Sequence, residues 1–172
     1  MVKQKHGGKR KMFRVTKRME IAGAHYLDLP YESKCQNVHG HNWIIEITCA
    51  SDELTEYGMI VDFKKIKNCI HDALDHKNIN DVINKERKQI IDVLYAKDKE
   101  RLIEQYIVSQ EEKRDIPPYI NPTAENMAWW IAREVKKVLE EENPYAFVET
   151  VRVQESEGNV AEYNIDSIGV VI

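Results

Sequence analysis

The apolar residues of this chain recur every second position towards both ends and at helical spacing in between. That switch restricts the fold more than any other feature. Phe13, Val15, Met19 and Ile21 alternate with Arg14, Thr16, Arg18 and Glu20, with Lys17 the only break, so residues 13–21 predict a half-buried strand. Residues 24–38 are polar and contain Pro30, which predicts a loop; residues 39–50 predict a second strand. Glu56-Tyr57-Gly58 marks a turn and Met59-Ile60-Val61 a short extended piece. Asp62 is an N-cap before Phe63, Ile66, Ile70 and Leu74, a helical stripe ending near Asp75-His76. Thr123, after Pro122, caps a second helix whose stripe is Met127, Trp130, Ile131, Val135, Val138 and Leu139, stopping before Asn143-Pro144. Alternation returns over 147–155 and, after Glu157-Gly158-Asn159, over 159–172.

The order strand, strand, helix, helix, strand, strand predicts an α+β chain: a four-stranded antiparallel sheet with two helices on one face. At 172 residues a single domain spanning 1–172 is expected. Its uncovered face and edges predict self-association. Residues 84–118 interrupt the order with eight basic and eight acidic side chains. Ile90, Ile91, Leu94, Leu102, Tyr106 and Ile107 recur among them at roughly amphipathic-helix spacing, so a solvated helical insertion is expected there, with a substrate lid as the alternative.

Charge is uneven. Residues 1–18 hold eight Lys or Arg and no acid, which makes 1–11 a basic arm, while the remainder carries 17 basic and 29 acidic residues. A basic arm can bind nucleic acid, but the body is acidic and carries no recognisable binding motif, so no nucleic-acid partner is expected. No apolar run approaches bilayer-spanning length, so no membrane partner is expected either. Three cysteines with no Cys-x-x-Cys pair and no secretory apolar region point to a reducing, cytoplasmic compartment.

The stretch Cys35-Gln36-Asn37-Val38-His39-Gly40-His41 carries the chemistry. On a strand, His39 and His41 share a face, where two imidazoles can ligate one metal or simply pack. His25 lies upstream; three His ligands with an open fourth position is the pattern of a catalytic zinc site. Cys35 reads either as a reactive thiol or as a small buried hydrophobe. Asp75-His76 reads either as an oriented acid/base or as a polar helix terminus favoured by the dipole. Cys49 and Cys69 fall on apolar faces and are expected in the core; His71 is expected in solvent.

His25, Cys-x-x-x-His-Gly-His (35–41), Gly-Met-Ile-Val-Asp-Phe (58–63), Leu-Asp-His (74–76), Asn-Pro-Thr-Ala-Glu-Asn (121–126) and Val-Gln-Glu-Ser (153–156) occur in that order. This set resembles the 6-pyruvoyl-tetrahydropterin synthase family of the tunnelling fold, and within it the 6-carboxytetrahydropterin synthase branch of queuosine biosynthesis. The resemblance covers 12–83 and 119–165. It implies Zn²⁺ held by His25, His39 and His41, with Cys35 as catalytic base and Asp75 and His76 as a proton relay. Glu155 would grip the pterin through its ring N–H and amino groups, and Thr123 would help anchor the ring. It also implies a homohexamer whose strands join into a barrel. The implied activity is that of a lyase acting on 7,8-dihydroneopterin triphosphate. Animal-type pyruvoyl synthases of that family have a longer Cys-to-His interval, so the resemblance, with three residues between Cys35 and His39, implies the carboxy product over the pyruvoyl product. A pterin-binding module without catalysis is the alternative of another class, and an intact Cys35, Asp75 and His76 argue against it.

Overall fold

The structure, a computed structural model, describes residues 11–83 and 121–165. The expected insertion at 84–118, residues 1–10 of the basic arm and residues 166–172 lie outside the described residues. Strand β1 (Phe13–His25) runs antiparallel to β2 (His39–Ser51), register-locked from Phe13 opposite Ser51 to His25 opposite His39. Helix α1 (Phe63–Leu74), a two-residue strand β3 (Lys77–Asn78) and a short helix α2 (Ile79–Ile83) follow. Helix α3 (Ala124–Glu142) then leads into β4 (Phe147–Ser156) and β5 (Asn159–Asn164).

The sheet order is β3-β1-β2-β4-β5. The four expected strands are antiparallel neighbours, and the fold is α+β as expected. The structure adds β3, which pairs parallel to β1 at Gly23 and Ala24, and the short α2 behind it. It also lengthens β1 beyond residue 21: residues 24 and 25, expected as loop, are strand, as are 22 and 23. Ala22, Gly23 and Ala24 offer no alternating apolar signal, and it is their pairing with Asn42, His41 and Gly40 that keeps them extended.

Alternation sorts the sheet into two faces. Met19, Ile21, Trp43, Ile45, Ile47, Val151 and Val153 turn inward against Ile66, Ile70 and Leu74 of α1 and Met127, Ile131, Val135 and Leu139 of α3. Both caps form as read: Asp62 accepts the Lys64 N–H and Thr123 the Asn126 N–H. Phe63, counted in the α1 stripe, is exposed instead. Cys49 is fully buried, with its thiol pushed up to about 12 by burial, and Cys69 packs at the core margin. The outer face is a polar ladder: Arg14 forks onto Glu149, the Thr16 and Thr48 hydroxyls pair, and Arg18 and Arg152 both approach Glu46.

Gly23 packs closely against α2: a Cβ there would sit 2.8 Å from Cδ1 of Ile79, so that buried side chain would have to shift.

Candidate active site and metal centre

The β1–β2 ladder brings the imidazoles together. His25 and His39 are cross-strand partners and His41 faces Gly23, so alternation aims His39 and His41 to one side and the end of β1 supplies the third ring. One nitrogen from each of His25, His39 and His41 lies within 4.8 Å of the others. The His25 Nε2 to His39 Nε2 distance is 3.1 Å.

Tautomers follow from the outer hydrogen bonds. His25 Nδ1 donates to the Pro122 carbonyl at 2.8 Å, and His39 Nδ1 donates to the Asn37 carbonyl at 2.7 Å. A neutral ring that donates at Nδ1 carries a lone pair at Nε2. Two lone pairs therefore face each other across 3.1 Å. The Nε2 of His41 is buried with no hydrogen-bond partner. The facing lone pairs of His25 and His39 repel unless a cation sits between them, and a buried ring nitrogen without a partner calls for one. Nitrogens bound about 2.0–2.1 Å from one tetrahedral ion are about 3.3 Å apart, close to the His25–His39 spacing. The residues therefore fit a metal, and the carbonyl-held Nδ1–H groups are the outer support that ligating histidines use.

The surroundings hold the rings in place. Trp43 is fully buried, donates its Nε1–H to the Gly23 carbonyl at 3.1 Å, and presses its ring edge-on to His25 and His41. Burial lowers the pKa of His25, which favours the neutral ligating form. Two buried asparagines clamp the chain just beyond His25. Asn80 accepts the Tyr26 N–H and donates to the Tyr26 carbonyl, both at 2.9 Å. Asn121 does the same to Asp28, at 2.8 and 3.0 Å. Neither appeared among the candidates from sequence. Asn121 stood in the sequence only as the first residue of the 121–126 motif, and Asn80 carried no signal there.

Cys35 sits half-buried in a 3₁₀ turn (Lys34–Gln36) capped by Ser33, whose hydroxyl accepts the Cys35 N–H at 3.2 Å. The Cys35 carbonyl accepts the Leu27 N–H at 2.8 Å, tying this turn to the segment that leaves His25. Asp75 caps α1 and turns onto β1: its Oδ1 accepts the Ala22 N–H at 2.9 Å. That bond, with the nearby His71 and His76, holds its carboxyl below the usual range. His76 has a left-handed backbone (φ 53°), pinned by its N–H donating to the Ala22 carbonyl at 2.6 Å. Its side chain is 82% exposed, with Nε2 3.8 Å from Asp75 Oδ2. His71, expected in solvent, lies closer to the same oxygen, at 3.3 Å, because one helical turn places residue 71 over residue 75. Glu155 Oε1 lies 3.6 Å from His25 Nε2 and 3.9 Å from His41 Nε2. The Thr123 hydroxyl is engaged as the α3 cap.

Comparison with known proteins agrees with this arrangement. The family model described as 6-pyruvoyl tetrahydropterin synthase matches residues 14–166. A Rickettsia bellii protein named 6-carboxy-5,6,7,8-tetrahydropterin synthase is 32% identical over 145 residues, 84% of this chain and 95% of that protein. An Aquifex aeolicus protein of the same name is 32% identical over 146 residues, 82% of each chain. The solved structure of Caenorhabditis elegans 6-pyruvoyl tetrahydropterin synthase superposes with a TM-score of 0.56 at 21% identity, covering 90% of this chain and 96% of that one, and shares the fold. With the motif order, the β1–β2 histidine cluster and a match over nearly its whole length, the chain belongs to the 6-pyruvoyl tetrahydropterin synthase family, in the tunnelling fold.

Proposed function

We propose that this chain is a zinc-dependent 6-carboxy-5,6,7,8-tetrahydropterin synthase. It converts 7,8-dihydroneopterin triphosphate to 6-carboxytetrahydropterin with release of triphosphate and acetaldehyde, in queuosine biosynthesis. The observation that carries the reading is the convergence of three imidazoles, with the Nε2 of His41 buried and unpartnered, in a chain whose relatives over most of its length bear that name.

His25, His39 and His41 would hold the zinc, which when bound supplies Lewis acidity towards the hydroxylated substrate side chain. Cys35 takes a proton from that side chain. Its turn is fixed at both ends by hydrogen bonds to the loop between the ligands, which restricts where the thiol can point. Asp75 and His76 move a proton at the same substrate, with the Asp75 carboxylate held by Ala22 and the exposed His76 ring free to meet an incoming group. Thr123 sets the first turn of α3, against which the pterin ring would lie. Assembly into a homohexamer would cover the polar outer face and the sheet edges. Among the described residues β1 has a strand partner on its outer side only at Gly23 and Ala24. No helix among the described residues is long and apolar enough to cross a membrane, and three free cysteines suit the cytoplasm.

Incubation with dihydroneopterin triphosphate and mass analysis of the products tests the reading. The carboxy product with acetaldehyde supports it. The pyruvoyl product would assign the chain to the branch that stops after triphosphate loss, and unchanged substrate would remove the catalytic assignment.

A further inference from the structure

The Asp75 carboxylate divides its two oxygens between unlike neighbours. Oδ1 accepts the Ala22 N–H at 2.9 Å. Oδ2 faces two imidazoles, Nε2 of His71 at 3.3 Å and Nε2 of His76 at 3.8 Å. The nearer ring belongs to the histidine that stands outside every motif of the chain. The backbone sets its place: the Asp75 N–H donates to the His71 carbonyl at 2.9 Å, closing α1 and stacking residue 71 over residue 75. The Asp75 side chain is only 17% exposed, so water has little access to Oδ2. An ionised carboxylate only accepts, so the His71 ring attracts it with a proton on Nε2. At 3.3 Å the approach lies at the long edge of a hydrogen bond.

His76 is placed differently. Its left-handed backbone is pinned to the Ala22 carbonyl, while its ring stands in solvent. A ring that exchanges a proton with a substrate in one orientation needs a carboxylate behind it that does not turn. The bond to Ala22 fixes one oxygen and leaves rotation about Cβ–Cγ; a second contact at the other oxygen stops it. We propose that His71 is a positioning residue for the Asp75–His76 pair, holding Oδ2 of Asp75 while the Ala22 N–H holds Oδ1. The proposal rests on the reading that Asp75 and His76 move a proton at the substrate, and adds to it the group that aims them. His71 acts through Asp75 alone, and what it supplies is orientation.

Turnover of dihydroneopterin triphosphate by the assembled full chain tests this, in wild type, His71→Leu, His71→Gln, Asp75→Ala and the double variant His71→Leu with Asp75→Ala. Zinc content and sedimentation of each variant separate lost assembly from lost positioning, and His71→Ala replaces His71→Leu if the leucine variant does not assemble. Leucine offers no proton at residue 71, whereas the glutamine amide offers an N–H of similar reach. His71→Leu should lower kcat about tenfold with KM within about twofold of wild type. His71→Gln should return kcat to within about threefold of wild type. In the Asp75→Ala background, His71→Leu should cost nothing further, because no carboxylate is left to hold. A kcat for His71→Leu within about twofold of wild type overturns the proposal. So does a His71→Gln variant as slow as His71→Leu, and so does a leucine cost undiminished when residue 75 is alanine. Wild-type protein that leaves the substrate unchanged overturns the reading and the positioning role with it, whereas wild-type turnover with unaffected variants overturns the positioning role alone.

Discussion

Cys35 lies between His25 and His39 in sequence and Asp75 beyond His41, and both are fixed by bonds to main-chain groups of the same stretch of chain, Ala22–Leu27. As a base, Cys35 should be dispensable for the metal. Cys35→Ala is expected to keep its zinc while losing about 10²–10⁴-fold in turnover. Loss of metal by that variant would make the thiol a ligand. Asp75 carries a pH signature. A carboxyl whose native pKa lies below its usual 3.8 adds stability that is complete above that value and is lost as the pH falls through the native one. The stability gap between wild type and Asp75→Asn should therefore shrink below about pH 4. Chemical denaturation giving the same gap at pH 7 and pH 3 would contradict the assigned bond to Ala22. His39 and His41 were legible at this scale because period-two alternation alone places them side by side. The aim of Glu155 was not, since the β4–β5 register slips between Gln154 and Ser156, and such a bulge leaves no mark in either strand alone.

The end of β1 and the segment after it deliver His25, and two amides hold that segment. Asn80 and Asn121 each satisfy both an N–H and a C=O of a residue on it, as a paired strand would. Replacing a buried partner leaves main-chain groups without hydrogen bonds, at about 1–3 kcal/mol. Asn121→Ala should lower the midpoint of thermal unfolding by several degrees and weaken zinc retention, because its removal frees the chain next to His25. An unchanged midpoint with full metal content would show the clamp to be idle. The long strands, both helix caps and the core stripes of α1 and α3 were readable from local periodicity. The clamps were not, because Asn121 meets Asp28 across 93 positions of sequence. Nor was β3, whose two residues are strand only because β1 offers an edge there.

At the scale of the whole molecule, the sheet has one apolar face covered by α1 and α3 and one polar face that no element among the described residues covers. Sedimentation should show an oligomer, with a hexamer expected; a stable monomer at micromolar concentration would leave the open face without its cover. In the proposed reaction the fold and the triad meet in one requirement, that turnover needs a metal held by His25, His39 and His41. The direct measurement is turnover of dihydroneopterin triphosphate after dialysis against a strong chelator, followed by stepwise return of zinc. The account predicts loss of turnover on chelation and full recovery at one zinc per chain, with no recovery in His39→Ala. Undiminished turnover in protein shown to be free of metal would contradict it.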